Sequence, residues 1–198
     1  MADLLKQYKS SLEAGKVVLI PTETVYGVAA NAWDQAAVEE VFRVKKRKPE
    51  KALAWLCPKD FNFARYAREW DERFDAFSSS YWPGPLTLVL SRKNKITPDD
   101  PETVGYRVPD HDFVLELLSQ LEFPIVATSA NISGNKAATS FNMLETELLD
   151  QLAVVNDFGP SRVSVESTVL DLRSDFKVLR PGALKEEQLK PHYKSLFS

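Results

Sequence analysis

Short polar clusters follow several apolar runs of this sequence, and their side chains are of types that bind anions. Residues 45–51, KKRKPEK, place five basic side chains in seven positions. Such a run is typical of a solvated helix end, of a nucleic-acid patch or of a site for an anionic substrate. The other clusters are PTETVYG (21–27), YRVPDH (106–111), ATSANISGN (127–135), VSVESTVLDL (163–172) and VLRPGAL (178–184).

Together the clusters supply several cations and many hydroxyl and amide donors, but no activated nucleophile and no histidine base. The sequence has two histidines, His111 and His192, and one cysteine, so a histidine-rich or thiolate zinc site is excluded. It has no G-x-x-x-x-G-K-[ST] phosphate loop, no G-x-G-x-x-G and no G-x-S-x-G. This combination suits a polyphosphate and a small zwitterion in a cleft, and it does not suit hydrolysis by a triad. Spacing alone predicts an anion-binding protein and does not name a reaction.

Several of these residues also have a purely structural interpretation. Thr22, Glu23 and Thr24 could form a strand-to-helix turn as easily as a site, whereas Arg107 lies among apolar residues and needs an anionic partner. The triplet 110–112, Asp-His-Asp, is more typical of a helix start with Asp110 as the cap than of a metal site or proton relay. Cys57 ends an apolar strand, so we expect it to pack rather than react.

The elements that must position these clusters alternate between helix and strand. Apolar residues at helical spacing predict helices over 4–12, ended by Gly15, and from Asp34 to about Lys45. Further helices are predicted near 60–70, 71–80, 110–121 and 142–152. Strands are predicted over 17–20, 52–56, 86–91, 104–108, 124–129 and 153–156, with a closing pair at 167–172 and 176–180. The pattern predicts one α/β domain: an open, twisted, mixed β-sheet flanked by helices.

Composition limits the class of protein further. A chain of 198 residues with 44% hydrophobic residues can fold around one core, and it has no apolar run long enough to span a membrane. The net charge of −3 means that any polyanion site must be local. The N-terminus lacks the core of a signal peptide, and with a single cysteine we expect a cytoplasmic protein. The polar stretch 91–106 is expected to be a long loop rather than a domain boundary, and whether it closes over a ligand is left open.

The clusters, in this order, resemble the YrdC/Sua5 family. The matching stretches are PTETVYGVAANA, KKRKPEKAL, YWPGPLTLVL, YRVPDH, PIVATSANISG, ESTVLDL and LRPGA, which together extend from residue 21 to about 183. Each motif is weak alone, but seven in the same order are specific. The resemblance implies a YrdC/RibB-like fold with a large, concave, electropositive cleft. It also implies a single domain over 1–198 without the C-terminal Sua5 domain of longer members.

The resemblance further implies synthesis of threonylcarbamoyl-AMP and pyrophosphate from ATP, L-threonine and bicarbonate, with Mg²⁺ bound to the ATP. Separate downstream transferase proteins would use the product for the N6-threonylcarbamoyl modification of adenosine in tRNA. Weak binding of tRNA or double-stranded RNA to the concave face would also be in keeping with the family, and no membrane partner is expected.

Residue roles follow from the resemblance motif by motif. Lys45 and Arg47 would act at the phosphates and the threonylcarbamoyl group, and no metal ligand is assigned. The remaining positions are Lys51, Ser129, Asn131 and Arg180 for ATP, and Thr22, Tyr26, Arg107 and Ser167 for threonine. Longer Sua5 members carry a histidine on the strand after the Lys-x-Arg motif, where this sequence has Leu56 or a neighbour. We therefore expect threonine to be held differently here.

Three other functions compete with the synthase. An RNA-binding module would bind in a salt-dependent manner without threonine, although the negative net charge opposes it. A carbamoyl-transfer domain of the hydrogenase-maturation type would need companion domains with paired-cysteine zinc motifs, which one cysteine cannot provide. A sugar-phosphate lyase would need an acidic Mg²⁺ site that these motifs do not assemble.

Overall fold

The computed structural model describes residues 1–46, 53–94, 101–173 and 176–194, so Arg47 and Lys51 lie outside the described residues. The strands are β1 (Val18–Ile20), β2 (Gly27–Asn31), β3 (Ala54–Leu56), β4 (Leu86–Ser91), β5 (Thr103–Arg107), β6 (Ile125–Ser129), β7 (Thr168–Asp171) and β8 (Lys177–Arg180). The helices are α1 (Ala2–Glu13), α2 (Gln35–Val44), α3 (Phe63–Tyr66), α4 (Glu72–Tyr81), α5 (Asp112–Ser119), α6 (Thr146–Leu149) and α7 (Glu186–Lys194), with a 3-10 turn at Phe141–Met143.

The eight strands form one sheet in the order β1-β2-β6-β3-β5-β4-β7-β8. The pairs β3–β5 and β4–β7 are parallel, and the other neighbouring pairs are antiparallel. The predicted mixed, open α/β sheet is therefore confirmed.

The two faces of the sheet are covered differently. Alternate strand residues, including Trp55, Leu88, Tyr106 and Leu170, enter the larger core together with side chains of α2, α3 and α4. On the other face, α1 and α5 pack together over β1, β2, β6 and Leu56. The part of this second face that lies over β5, β4 and β7 is lined by cleft residues, and it is there that the candidate site lies.

The first two predicted helices form for the expected local reasons. Leu5, Tyr8 and Leu12 form the buried stripe of α1, and Gly15 follows it with φ +70°, a backbone conformation that favours glycine. The side chain of Asp34 accepts a hydrogen bond from the Ala37 amide at 3.2 Å and so caps α2.

Two predictions about the chain near the site were wrong, and one of the two interpretations left open for residues 21–26 is excluded. Residues 21–26 do not form a strand-to-helix turn, because Gly27–Asn31 is a strand that pairs with both β1 and β6. Residues 153–156 do not form a strand, since within the described residues they make only a single bridge, Val18 to Val154. Asp110 does not cap α5, because the N-cap of this helix is His111. Instead, the Asp110 carboxylate forms an ion pair with Arg162, with 2.8 Å between Oδ2 and Nη2.

Two predicted helices are shorter than their apolar spacing indicated. The region 60–70 contains only the four residues of α3, and 142–152 contains the four residues of α6 after the 3-10 turn. No helix in the described ranges has both the length and the apolar character needed to cross a membrane.

Candidate ligand-binding cleft

A cavity of about 300 Å³ opens on the part of the sheet that α1 and α5 leave uncovered. Its floor consists of small residues that lie side by side, since Ala54 pairs with both Ala127 and Gly105. A Cβ on Gly105 would lie 2.9 Å from Cγ2 of Thr87. The cavity therefore depends on small side chains in the middle of the sheet.

One wall is the loop that joins β1 to β2. The Thr22 hydroxyl donates to the Val25 carbonyl at 2.6 Å and lies 2.8 Å from the Thr24 hydroxyl, so it stabilises the turn. The Tyr26 hydroxyl donates to the Gly159 carbonyl at 2.8 Å and accepts from the Phe158 amide at 2.9 Å. Burial raises the pKa of Tyr26, which keeps the phenol protonated and able to donate. Both residues line the cavity but use their hydroxyls within the protein.

Arg107 is the buried cation of the cleft, and it has the anionic partner that the sequence required. Its Nη2 lies 2.7 Å from Glu23 Oε1, and both side chains are almost wholly buried. The carboxylate makes no well-aligned hydrogen bond within the described residues, so the contact is mainly electrostatic. Nη2 also donates to Thr24 Oγ1 at 3.0 Å, and Nε donates to the Gly84 carbonyl at 3.1 Å. Burial lowers the pKa of Arg107 and the Glu23 charge opposes that shift, so the guanidinium remains charged.

The opposite wall joins β7, β8 and β4. Arg180 Nη2 donates to the Ser167 carbonyl at 2.8 Å and to Ser167 Oγ at 3.0 Å, and Ser167 Oγ lies 2.9 Å from Thr87 Oγ1. Gly182 permits this arrangement, because a Cβ there would lie 2.4 Å from the Glu166 carbonyl oxygen and 2.6 Å from that of Ser167. The sequence LRPGA thus folds closely against ESTV.

Ser129 ends β6 at the third side of the cavity, and Lys45 lies behind it. The Ser129 hydroxyl donates to Asn131 Oδ1 at 2.6 Å. Lys45 is 1% exposed, and its ammonium group donates to the Ser129 carbonyl, to the Asn131 carbonyl at 2.9 Å and to Asn131 Oδ1 at 2.9 Å. The Lys-x-Arg and Ser-x-Asn motifs are therefore joined by hydrogen bonds in the structure.

The structure brings six of the ten predicted site residues to one cavity. These are Thr22, Tyr26, Arg107, Ser129, Ser167 and Arg180. Asn131 and Lys45 lie behind Ser129 and do not line the cavity, and the predictions for Arg47 and Lys51 fall outside the described residues.

Six polar residues of the cavity are not among the ten predicted site residues: Thr24, Thr87, Thr103, Thr128, Glu166 and Arg173. A signal for Thr87 exists in LTLVLS, where a threonine alternates with leucines and so must face away from the core that they fill. Arg173 is held by Asp171 at 2.6 Å. Each described arginine of the cavity therefore has a carboxylate partner: Glu23 for Arg107, Asp171 for Arg173 and Glu166 for Arg180.

Cys57 and the described acidic residues do not offer an alternative reactive centre. Cys57 is fully buried and burial raises the pKa of its thiol, so the prediction that it packs is confirmed. Over the ranges that the structure describes, no group of three or more His, Cys, Asp or Glu side chains could hold a metal ion.

An open, mixed α/β sheet with three arginines and several hydroxyls around one cleft is an arrangement suited to a small anionic ligand. The chain belongs to the Sua5/YciO/YrdC family, whose model, described as "Telomere recombination", matches residues 10–182. The resemblance predicted from the motifs is thereby confirmed.

Curated relatives and a solved structure agree with this assignment. The chain is 37% identical over 182 residues to the threonylcarbamoyl-AMP synthase of Pyrococcus abyssi, covering 90% of this chain and 54% of that protein. It is 35% identical over 190 residues to the Bacillus subtilis synthase, covering 93% and 55%. The structure of P. abyssi Sua5 in complex with L-threonine superposes with a TM-score of 0.87 at 34% identity, covering 95% of this chain and 56% of that one. The chain thus spans about half the length of these relatives.

Proposed function

We propose that this chain catalyses the formation of threonylcarbamoyl-AMP and pyrophosphate from ATP, L-threonine and bicarbonate. The observation that carries the proposal is that six residues from five separate sequence segments line one cavity. Two relatives that match over at least 90% of this chain are named threonylcarbamoyl-AMP synthases, which supports the same reaction.

The chemistry suits a cleft without a nucleophile. The threonine amine and bicarbonate give a carbamate and water, and a carbamate oxygen then attacks the α-phosphorus of ATP while the bond to pyrophosphate breaks. Such a transfer depends on positioning and on neutralisation of phosphate charge, which arginine and lysine side chains supply. On the threonine side we place Thr22, Tyr26, Arg107 and Ser167, and on the nucleotide side Lys45, Arg47, Lys51, Ser129, Asn131 and Arg180.

The two sets of residues meet at the wall formed by β7 and β8. Arg180, on the nucleotide side, donates to Ser167, on the threonine side, at 3.0 Å. Ser129 lies at the far side of the cavity, with strands β3, β5, β4 and β7 between it and β8. An elongated ligand such as a nucleoside triphosphate could contact both sides, while threonine lies near Arg107.

We propose that Mg²⁺ enters the cleft bound to the phosphates of ATP, as part of the substrate. The described residues offer no carboxylate cage, and Mg²⁺ commonly binds through substrate phosphates and water. A tight Mg²⁺ site found by titration without nucleotide would contradict this.

The product is a mixed anhydride of a carbamate and a phosphate, so it must be consumed soon after it forms. We propose that separate transferase proteins accept it for the tRNA modification, and that weak contacts of the cleft with tRNA or double-stranded RNA are secondary to the reaction. Binding of RNA that is tighter than binding of ATP would favour the RNA-binding module instead.

The test is pyrophosphate release with ATP, Mg²⁺, L-threonine and bicarbonate, with each component omitted in turn. Release must depend on both threonine and bicarbonate, and release without either of them would refute the synthase. The active-site variant is Arg180→Ala. The matched control is Arg43→Ala, which removes an exposed arginine of α2 that pairs with Glu40 away from the cavity.

A further inference from the structure

Two hydroxyls in the cleft wall are hydrogen-bonded to each other, and this bond uses only one of their two protons. Thr87 Oγ1 and Ser167 Oγ are 2.9 Å apart and buried, and both residues line the cavity. The only other side-chain donor to Ser167 Oγ among the described residues is Arg180 Nη2, at 3.0 Å. No second acceptor is present for either hydroxyl in the part of the chain that the structure describes.

Counting protons shows what the pair offers to a ligand. Two hydroxyls carry two protons, and the bond between them uses one. If Ser167 donates to Thr87, the Thr87 proton is left over; if Thr87 donates, the Ser167 proton is left over. In both cases Arg180 donates to Ser167 and polarises the pair, so one strengthened O–H donor remains.

We propose that Thr87 is a ligand-positioning residue, which together with Ser167 presents this single O–H donor to an anionic oxygen of the substrate. The inference rests on the proposed function, which it deepens by adding a residue that the motif comparison did not assign. The register of β4 and β5 places Thr87 opposite Arg107, one step beyond the pair Leu88–Tyr106. The donor is therefore bonded to the guanidinium of Arg180 and lies on the strand beside that of Arg107, where a carboxylate or phosphate oxygen is favoured over a neutral one.

Two substrates could supply that oxygen, namely the carboxylate of threonine and a phosphate of ATP. Because Thr87 is next to Arg107, we assign the donor to the threonine carboxylate. Calorimetric titration of L-threonine alone and of ATP alone, each with wild type and with Thr87→Val, separates the two sources. Valine keeps the branched shape and β propensity of threonine and removes only the hydroxyl.

Loss of a hydrogen bond to a charged group weakens binding by about 10- to 100-fold. Either single variant keeps one O–H in a displaced position, so we expect the Kd for threonine to rise measurably in Thr87→Val and in Ser167→Ala, and by the full factor in the double variant, which has no donor. The Kd for ATP should change by less than about threefold in all three variants. Thr87→Ser keeps the hydroxyl and should stay close to wild type.

The matched control is Thr168→Val, in the residue next to Ser167. Thr168 is fully buried, and its hydroxyl donates to the Leu184 carbonyl at 2.7 Å and accepts from the Leu184 amide at 2.9 Å, away from the cavity. This variant should lower the unfolding temperature and leave the Kd unchanged. A purely structural role for Thr87 would give the same result in Thr87→Val.

The outcomes separate the inference from the function on which it rests. If wild type binds threonine and Thr87→Val binds it equally well, the inference is wrong and the proposed function stands. A rise in the Kd for ATP alone would overturn the assignment to the carboxylate. If wild type binds neither ligand, the proposed function itself fails. If Thr87→Val does not fold, Thr87→Ala, which also removes the hydroxyl, decides between a binding role and a structural one.

Discussion

At the scale of single residues, the buried pair of Glu23 and Arg107 shows how a charge in the cleft is kept in place. A buried guanidinium is tolerated only with an anion nearby. Glu23, in the turn between β1 and β2, supplies this anion, and its Oε1 lies 2.7 Å from Arg107 Nη2. The same arginine donates to Thr24 and to the Gly84 carbonyl, so it ties that turn to the chain before β4. Glu23 therefore positions Arg107 without lining the main cavity itself.

Glu23→Gln should lower the free energy of unfolding by about 3 kcal/mol, because it leaves the buried Arg107 charge without its partner. Denaturant unfolding at pH 7 measures the change. Asp110→Asn is the matched control, since it breaks the exposed pair with Arg162 and should lower the free energy of unfolding far less, because solvent screens that pair. Equal losses in the two variants would show that burial does not strengthen the dependence of Arg107 on Glu23.

His111, the N-cap of α5, should make stability depend on pH just below neutrality. Burial lowers its pKa from the ordinary value of 6.5, although the nearby Asp112, Glu23 and Asp110 oppose the shift. As the pH falls below about 6.5 the unfolded chain takes up the proton first, so stability present above that pH is lost progressively. Urea unfolding between pH 7.5 and about 5 should show this loss in wild type and a smaller one in His111→Asn.

Carboxylates with lowered pKa values cannot account for a loss in that range. The pKa values of Glu40 and Asp171 are lowered by hydrogen bonds from Arg43 and Arg173, from ordinary values of 4.5 and 3.8, so their contribution is lost at more acidic pH. Parallel curves for wild type and His111→Asn between pH 7.5 and 5 would show that His111 is not responsible.

At the scale of elements, long apolar runs were predicted well because a central strand is buried on one or both faces. Strand β4 coincides with its prediction and the ends of β5 and β6 lie within one residue of theirs, whereas β2 was missed. The sequence of β2, Gly-Val-Ala-Ala-Asn, is poor in the β-branched and aromatic residues that are typical of strands. The strand is held in the sheet by its pairing with β1 on one side and β6 on the other. Helix α7 was also missed, since Pro191 and many charges hide its pattern.

The site was predictable in part for the same kind of reason. Motif order identified the polar residues that line the cavity, but it could not show that the hydroxyls of Thr22 and Tyr26 bond within the protein. It also could not show that Lys45 is buried behind Ser129, because that depends on how α2 and β6 approach each other. The partner of Arg107 lies far away in sequence, so only the folded chain identifies it.

The turn after β8 depends on one glycine. A Cβ on Gly182 would meet backbone atoms of Glu166 and Ser167 at 2.4–2.6 Å, and backbone atoms cannot move aside cheaply. Gly182→Ala should therefore lower the free energy of unfolding, measured with denaturant, by more than about 2 kcal/mol. It should also weaken ligand binding, because it displaces Ser167 from Arg180. Gly134→Ala is the control: no atom lies within 4 Å of its Cβ, and only the φ of +103° opposes it.

The control variant, Gly134→Ala, should lower the free energy of unfolding by about 1–2 kcal/mol, since only its left-handed backbone conformation opposes the new side chain. Its affinity for the ligand should be unchanged. If Gly182→Ala were as stable as wild type, the close packing of LRPGA against ESTV would not be needed for the wall of the cleft.

At the scale of the whole molecule, the charge distribution decides how an anion enters. The chain carries a net charge of −3, and each described arginine of the cavity is paired with a carboxylate. Positive charge is therefore present in the cleft but largely compensated before a ligand arrives. Under the proposed function, an entering phosphate would compete with these carboxylates, and the weakest competitor would be the exposed one, Glu166 at 3.3 Å from Arg180.

Glu166→Gln should tighten ATP binding, because it removes the carboxylate that competes for Arg180 without changing the shape of the wall. Both partners are about half exposed, so the pair is worth at most about 1 kcal/mol and the gain in affinity is up to about fivefold. Calorimetry at low salt and again at about 0.5 M salt should show the gain shrink as the charges are screened. Glu40→Gln removes an equivalent exposed charge from α2 and should leave the Kd unchanged. Weaker binding by Glu166→Gln would instead show that Glu166 orients Arg180 for the ligand, and the carboxylates of the cleft would then be positioning groups rather than competitors.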